Sequence, residues 1–130
     1  MYKKTITYTN FNDEEVTETF YFNLTKAELT DMDISNNGLG DYIKRIIDAK
    51  SKQELISLFK DLLLRSYGVK SDDGREFRKN AAIRERFMST QAYSDLFMEL
   101  ASNDEEAARF VEGILPKDMV AAAKKANASS

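Results

Sequence analysis

Carboxylates, amines, guanidiniums, phenols and aliphatic hydroxyls are the main reactive groups in this 130-residue chain, which has no Cys, His or Trp. Their absence excludes a disulfide framework, thiolate or imidazole metal sites, Ser-His-Asp and Cys-His nucleophilic catalysis, and an imidazole pH switch. Asp72-Asp73-Gly74, beside Arg75 and Glu76, offers the paired carboxylates that acid–base work needs. Adjacent loop residues do not converge on one point, however, and no apolar residues surround them to build a pocket, so a solvated turn is expected. The run from Asp33 to Asp41 places oxygen ligands at the first, third, fifth and ninth positions of a calcium-type loop, with Gly38 sixth. The twelfth position is Lys44, a cation where a bidentate Glu belongs, so this run is expected to be a glycine-bearing turn. No catalytic residue, cofactor site or metal site is assigned.

Arg75, Arg78, Lys79, Arg84 and Arg86 form the one basic cluster, partly offset by Glu76 and Glu85. In a helix-turn-helix arrangement, residues 80–88 and 91–101 would supply the two helices. The second presents Asp95 and Glu99, which repel phosphates, so no nucleic-acid partner is expected. The cluster suits a solvated face or a dock for an acidic protein. Aromatic residues and methionines at helical spacing are core residues by default. A sharper alternative lets part of such a set line a groove for a partner helix, since methionine adapts to irregular surfaces. The candidate partner-binding residues are Tyr93, Phe97, Met98, Phe110, Ile114 and Met119.

The elements that would position these groups are legible from periodicity. Tyr2, Ile6 and Tyr8 alternate with Lys3 and threonines, and Val16, Phe20, Phe22 and Leu24 alternate with Thr17, Thr19 and Tyr21. Two period-two runs around the polar corner at residues 10–14 predict a β-hairpin. A lone hairpin is marginal in water, so its apolar face requires helices. Thr25-Lys26-Ala27-Glu28 is a capping box with Leu24 and Leu29 at the staple positions, and it opens a short helix. A second helix is expected over residues 39–49, with Tyr42, Ile43, Ile46 and Ile47 inward. Another capping box, Ser51-Lys52-Gln53-Glu54, opens a third, central helix carrying Leu55, Ile56, Leu58, Phe59, Leu62 and Leu63. Gly68 is expected to stop that helix and residues 69–74 to form a loop. Asn80, Thr90 and the Ser102-Asn103 pair mark three further helix starts; the last helix buries Phe110, Val111, Ile114 and Leu115 and ends before Pro116. The prediction is therefore an α+β fold, an N-terminal antiparallel β-hairpin packed on a bundle of five to six short α-helices. Residues 1–120 would form one domain, and residues 121–130 a frayed tail.

A chain of 14.8 kDa can bury about two-thirds of its surface without a staple. Its net charge of −3 gives no general pull toward nucleic acid or anionic lipid. No secretory signal or apolar run of membrane-spanning length is visible, which predicts a cytoplasmic protein without a membrane partner.

Three stretches together resemble a known family. They are Phe20-Tyr21-Phe22-Asn23-Leu24-Thr25-Lys26-Ala27-Glu28-Leu29; Ser66-Tyr67-Gly68 ahead of Ser71-Asp72-Asp73-Gly74-Arg75; and residues 93–101 followed by Phe110-Val111-Glu112-Gly113-Ile114-Leu115-Pro116. In order and spacing they are similar to tail assembly chaperones of long-tailed, siphovirus-type bacteriophages of Gram-positive hosts, up to about Met119. The resemblance implies a non-enzymatic protein of the host bacterial cytoplasm. It would bind the tape measure protein and keep it soluble while the tail tube polymerises around it. A longer product of a ribosomal frameshift, diverging near Lys124-Lys125, would reach the tail tube protein. Two other classes stand beside this one: a structural tail or head–tail joining protein retained in the virion, and a small DNA-binding regulator. Self-association through the hairpin edges is left open.

Overall fold

The computed structural model describes residues 1–35 and 52–117. Alternation of apolar and polar residues produces β1 (Tyr2–Thr9) and β2 (Glu15–Phe22), paired antiparallel with Tyr2 opposite Phe22 and Thr9 opposite Glu15. The connecting turn is closed by Asn10, whose side-chain Oδ1 accepts from the amides of Asn12 at 2.9 Å and Glu14 at 3.0 Å. Asp13 takes the left-handed backbone conformation there (φ 60°), which a short polar side chain tolerates. On the outer face, the hydroxyls of Thr5 and Thr19 and of Thr7 and Thr17 pair across the strands at 3.0 and 2.9 Å. The inner face buries Tyr2, Ile6, Tyr8, Phe20 and Phe22.

The capping box closes as expected. The Thr25 amide donates to Glu28 Oε1 at 2.9 Å and the Glu28 amide donates to Thr25 Oγ1 at 3.2 Å. It opens α1 (Lys26–Ser35), with Leu24 and Leu29 both buried beside it. Helix α2 (Lys52–Ser66) buries Phe59, Leu62 and Leu63. Three helices follow, α3 (Ala81–Met88), α4 (Gln91–Ser102) and α5 (Asp104–Ile114), each opened by a predicted cap. Asn80 accepts from the Ile83 amide, Thr90 from that of Tyr93 and Asn103 from that of Glu106. The described residues thus form an α+β fold, a hairpin with five helices. The expected helix over residues 39–49, most of the calcium-like run, the cap residue Ser51 of the second capping box and the tail from residue 121 lie outside the described residues.

Two expectations are corrected. Gly68 does not stop a helix: α2 ends at Ser66, and Tyr67–Lys70 is a strand, β3, that pairs with β2 through Tyr21 opposite Gly68 and Phe22 opposite Tyr67. Of residues 69–74, expected as a loop, Val69 and Lys70 therefore lie in β3, while residues 71–74 form the expected turn; beyond it β4 (Phe77–Arg78) pairs with β3, giving a four-stranded sheet of order β1-β2-β3-β4. Gly68 serves close packing instead. A Cβ there would lie 2.7 Å from the Phe77 ring and 3.0 Å from the Arg78 carbonyl oxygen. The hairpin edge on β2 is thereby occupied by the chain itself over Tyr21 and Phe22.

The core is aromatic where sheet meets helices. Tyr67 stacks on Phe87, ring centroids 4.0 Å apart and planes 10° from parallel. Phe22 meets Phe87 and Phe110 edge-on, both at 5.8 Å. Such pairs each add about 0.5–1.5 kcal/mol beyond the area they bury. Backbone bonds lock the corner between β2 and α1: the Asn23 amide donates to the Ser66 carbonyl and the Leu24 amide to the Ile114 carbonyl, both at 2.8 Å.

Candidate functional site

Helix α4 is the element on which the expected partner surface can be tested residue by residue. Ala92, Leu96 and Leu100 recur every fourth position and are fully buried, because α4 packs on β1 and α2 along that stripe. Tyr93 and Phe97 lie on one flank of the stripe, half-buried, with Tyr93 edge-on to Phe87 at 5.4 Å and its centroid 6.1 Å from that of Phe97. Burial pushes the Tyr93 phenol above its ordinary value. Opposite the stripe are Ser94, Asp95 and Met98, all exposed, with Met98 at 60%. An unbranched thioether held there on a rigid helix is a soft apolar contact available to another molecule.

Phe110 and Ile114 offer no such surface. Both are 0% exposed, and Phe110 contacts the Tyr2 ring at 5.3 Å as well as Phe22. Their helical spacing is core spacing, so the expectation that they face a partner is corrected. Met119 lies outside the described residues. Of the six candidates, α4 carries Tyr93, Phe97 and Met98, and the rings of Tyr93 and Phe97 lie side by side.

The other flank of α4 carries charge toward the sheet. Lys4 sits at an inward position of β1, and its Nζ donates to Glu99 at 2.8 Å and to Glu106 at 3.2 Å. Burial pulls the Lys4 ammonium down, but these two carboxylates outweigh it and leave the group raised. Glu106, 8% exposed, also accepts from the Tyr2 hydroxyl and pairs with Arg109 at 3.1 Å. Those donors hold its carboxyl below the ordinary range, Tyr2 most strongly, despite burial. Nearer the turn of the hairpin the Tyr8 hydroxyl donates to Glu18, which pushes that phenol up to about 12. Lys4 and Glu106 fasten β1 to α4 and α5, while the exposed Glu18 ties Tyr8 across the hairpin.

The remaining candidates are absorbed by structure. Asp73 Oδ1 accepts from the Ser71 hydroxyl at 2.8 Å and the Arg75 amide at 3.0 Å, and those two bonds, the amide's first, depress its carboxyl. It closes the turn in which Gly74 adopts φ 75°, so it is a turn residue. Within the basic cluster, Arg78 pairs with Glu76 at 3.0 Å, while Lys79 turns inward. Its Nζ donates to the Asn23 carbonyl and to Glu28 Oε2, both at 2.6 Å. Burial draws the Lys79 ammonium below its ordinary value, and Glu28 restores part of that. Among the described residues no group of three or more carboxylates could hold a metal ion, and no helix is long and apolar enough to cross a membrane.

One surface residue escaped the sequence pattern. Phe11, at the tip of the hairpin, is 76% exposed. The signal was present, since a phenylalanine between Asn10 and Asn12 breaks the polar composition of a turn, but apolar alternation does not extend into turns.

Residues 1–130 match a family model described as phage tail assembly chaperone. No curated protein and no solved structure matches the chain.

Proposed function

The chain belongs to the phage tail assembly chaperone family, and from that membership we propose that it binds the tape measure protein and keeps it soluble while the tail tube polymerises around it. A very long helical chain with uncovered apolar stripes aggregates unless a partner shields them. The work is binding, and it asks for no catalytic group. It would take place in the host bacterial cytoplasm, with a frameshift-extended form engaging the tail tube protein.

The observation that supports the reading is the solvent side of α4, where Met98 is 60% exposed next to half-buried Tyr93 and Phe97. An amphipathic helix laid along this side gains apolar contact without any rearrangement of the core. Co-expression with the tape measure protein of the same phage is the test. The soluble fraction of that protein should rise with the unsubstituted chain and fall again with Met98→Asp and Phe97→Asp. Equal precipitation with and without the chaperone would sink the reading. Mass spectrometry of purified particles separates it from a structural tail protein, because a chaperone is absent from mature virions.

A further inference from the structure

An aromatic ring that is 76% exposed on a turn closed by four hydrogen bonds is held out by the fold. Leaving such a ring in water forgoes the gain from burying it. Phe11 lines an open cleft of about 440 Å³ between the hairpin turn and α4, together with Thr9, Asn10, Asp13, Gln91 and Asp95. The cleft has no lysine or arginine in its lining. The exposed residues Asp13, Glu14 and Glu15 follow Phe11 on the hairpin, and Asp95 faces the cleft from α4. One helical turn beyond Asp95 lies exposed Met98.

We propose that the hairpin tip and the solvent side of α4 form one docking surface, anchored by Phe11, for a helix whose apolar stripe is flanked by lysines or arginines. Charge complementarity selects this occupant. Two carboxylates, Asp13 and Asp95, line the cleft beside the exposed ring with no cation among the lining residues, so an acidic helix is repelled and a basic one attracted. The cleft is too small for a helix about 10 Å across and large enough for side chains from one of its faces. Phe11 would contribute as a rigid ring already presented to the partner, the pattern of an interface anchor. The inference rests on the helix-binding reading above and adds to it the anchor and the sign of charge.

Two fluorescently labelled helical peptides with the same leucine stripe, one flanked by lysines and one by glutamates, are titrated with the full chain at low salt. The lysine-flanked peptide should bind at least about tenfold tighter, and Phe11→Ala should weaken it about tenfold or more. Asp95→Lys should shift the preference toward the glutamate-flanked peptide. Phe11 is exposed and the turn is closed by its neighbours, so Phe11→Ala should keep the circular dichroism of the unsubstituted chain. Equal binding of both peptides, no binding of either, or full affinity in Phe11→Ala overturns the proposal. If Phe11→Ala still keeps the tape measure protein soluble as well as the unsubstituted chain does, the anchor is wrong and the chaperone reading stands. If the unsubstituted chain fails that assay, the chaperone reading fails, and the peptides still report on the surface.

Discussion

Tyr2 donates its hydroxyl hydrogen to Glu106 across a sequence separation of 104 residues, which ties the start of β1 to the first turn of α5. The same carboxylate takes Lys4 from the strand and Arg109 from its own helix. Burying a carboxylate is costly unless its lone pairs are satisfied, and here donors from strand and helix satisfy them together. The rigid frame under α4 depends on this junction, because Lys4 also reaches Glu99 on α4.

Acid should weaken that junction. Glu106 is held below its ordinary carboxyl value, by Tyr2 first and then by Lys4 and Arg109. A carboxylate depressed in the folded state contributes stability at pH values above its unfolded value of about 4.3, and that contribution is lost as pH falls through the lower folded value. Urea unfolding should therefore show stability falling below about pH 4. Glu106→Gln should cost about 1–3 kcal/mol at pH 7 and progressively less toward pH 3. A constant difference across that range would remove Glu106 from the account.

Gly113 tests how firmly β1 is seated. A Cβ at this position would lie 2.9 Å from Tyr2 Cβ and 3.3 Å from Tyr2 Cα. Alanine gains about 1 kcal/mol over glycine inside a helix. Overlap with a strand that cannot retreat costs about 1–3 kcal/mol. Because Tyr2 is fastened through Glu106, the overlap should win, and Gly113→Ala should lower the melting temperature. A rise would mean that β1 moves away at little cost.

Phe87 joins the sheet to the helices through Tyr67, Phe20, Phe22 and Tyr93. It is 2% exposed, so Phe87→Ala should lose about 3–5 kcal/mol in denaturant unfolding, with collapse of the near-ultraviolet circular dichroism. Tyr93 would lose its edge contact, so weaker binding along α4 should accompany the loss of stability.

The elements most easily read from the sequence were those with local causes. Thr25-Lys26-Ala27-Glu28 closes its box using residues within one turn, and Asn80, Thr90 and Asn103 each cap the helix that follows them. Gly68 was misread because two causes share one residue type. Glycine ends helices by adopting a left-handed backbone and permits close packing by lacking a Cβ. Only the position of the Phe77 ring distinguishes the two here. The inward position of Lys4 is not legible because a period-two pattern sorts by polarity, while its partners Glu99 and Glu106 come from pairings the pattern does not encode. The candidate surface divided for a related reason: Phe97 and Phe110 both sit at helical spacing, yet one is half-buried and the other sealed.

By itself, the order of residues determined the hairpin, the capped helices, the α+β class and the lack of thiol or imidazole chemistry, since each follows from short-range sterics, local hydrogen bonding or composition. Tertiary structure alone decided that Tyr67–Lys70 joins the sheet, that Glu106 gathers three partners, and that Phe11 and Met98 face water while Phe110 and Ile114 do not. Burial is a property of neighbours brought from far along the chain, and an apolar side chain looks the same in the sequence whichever way it will face.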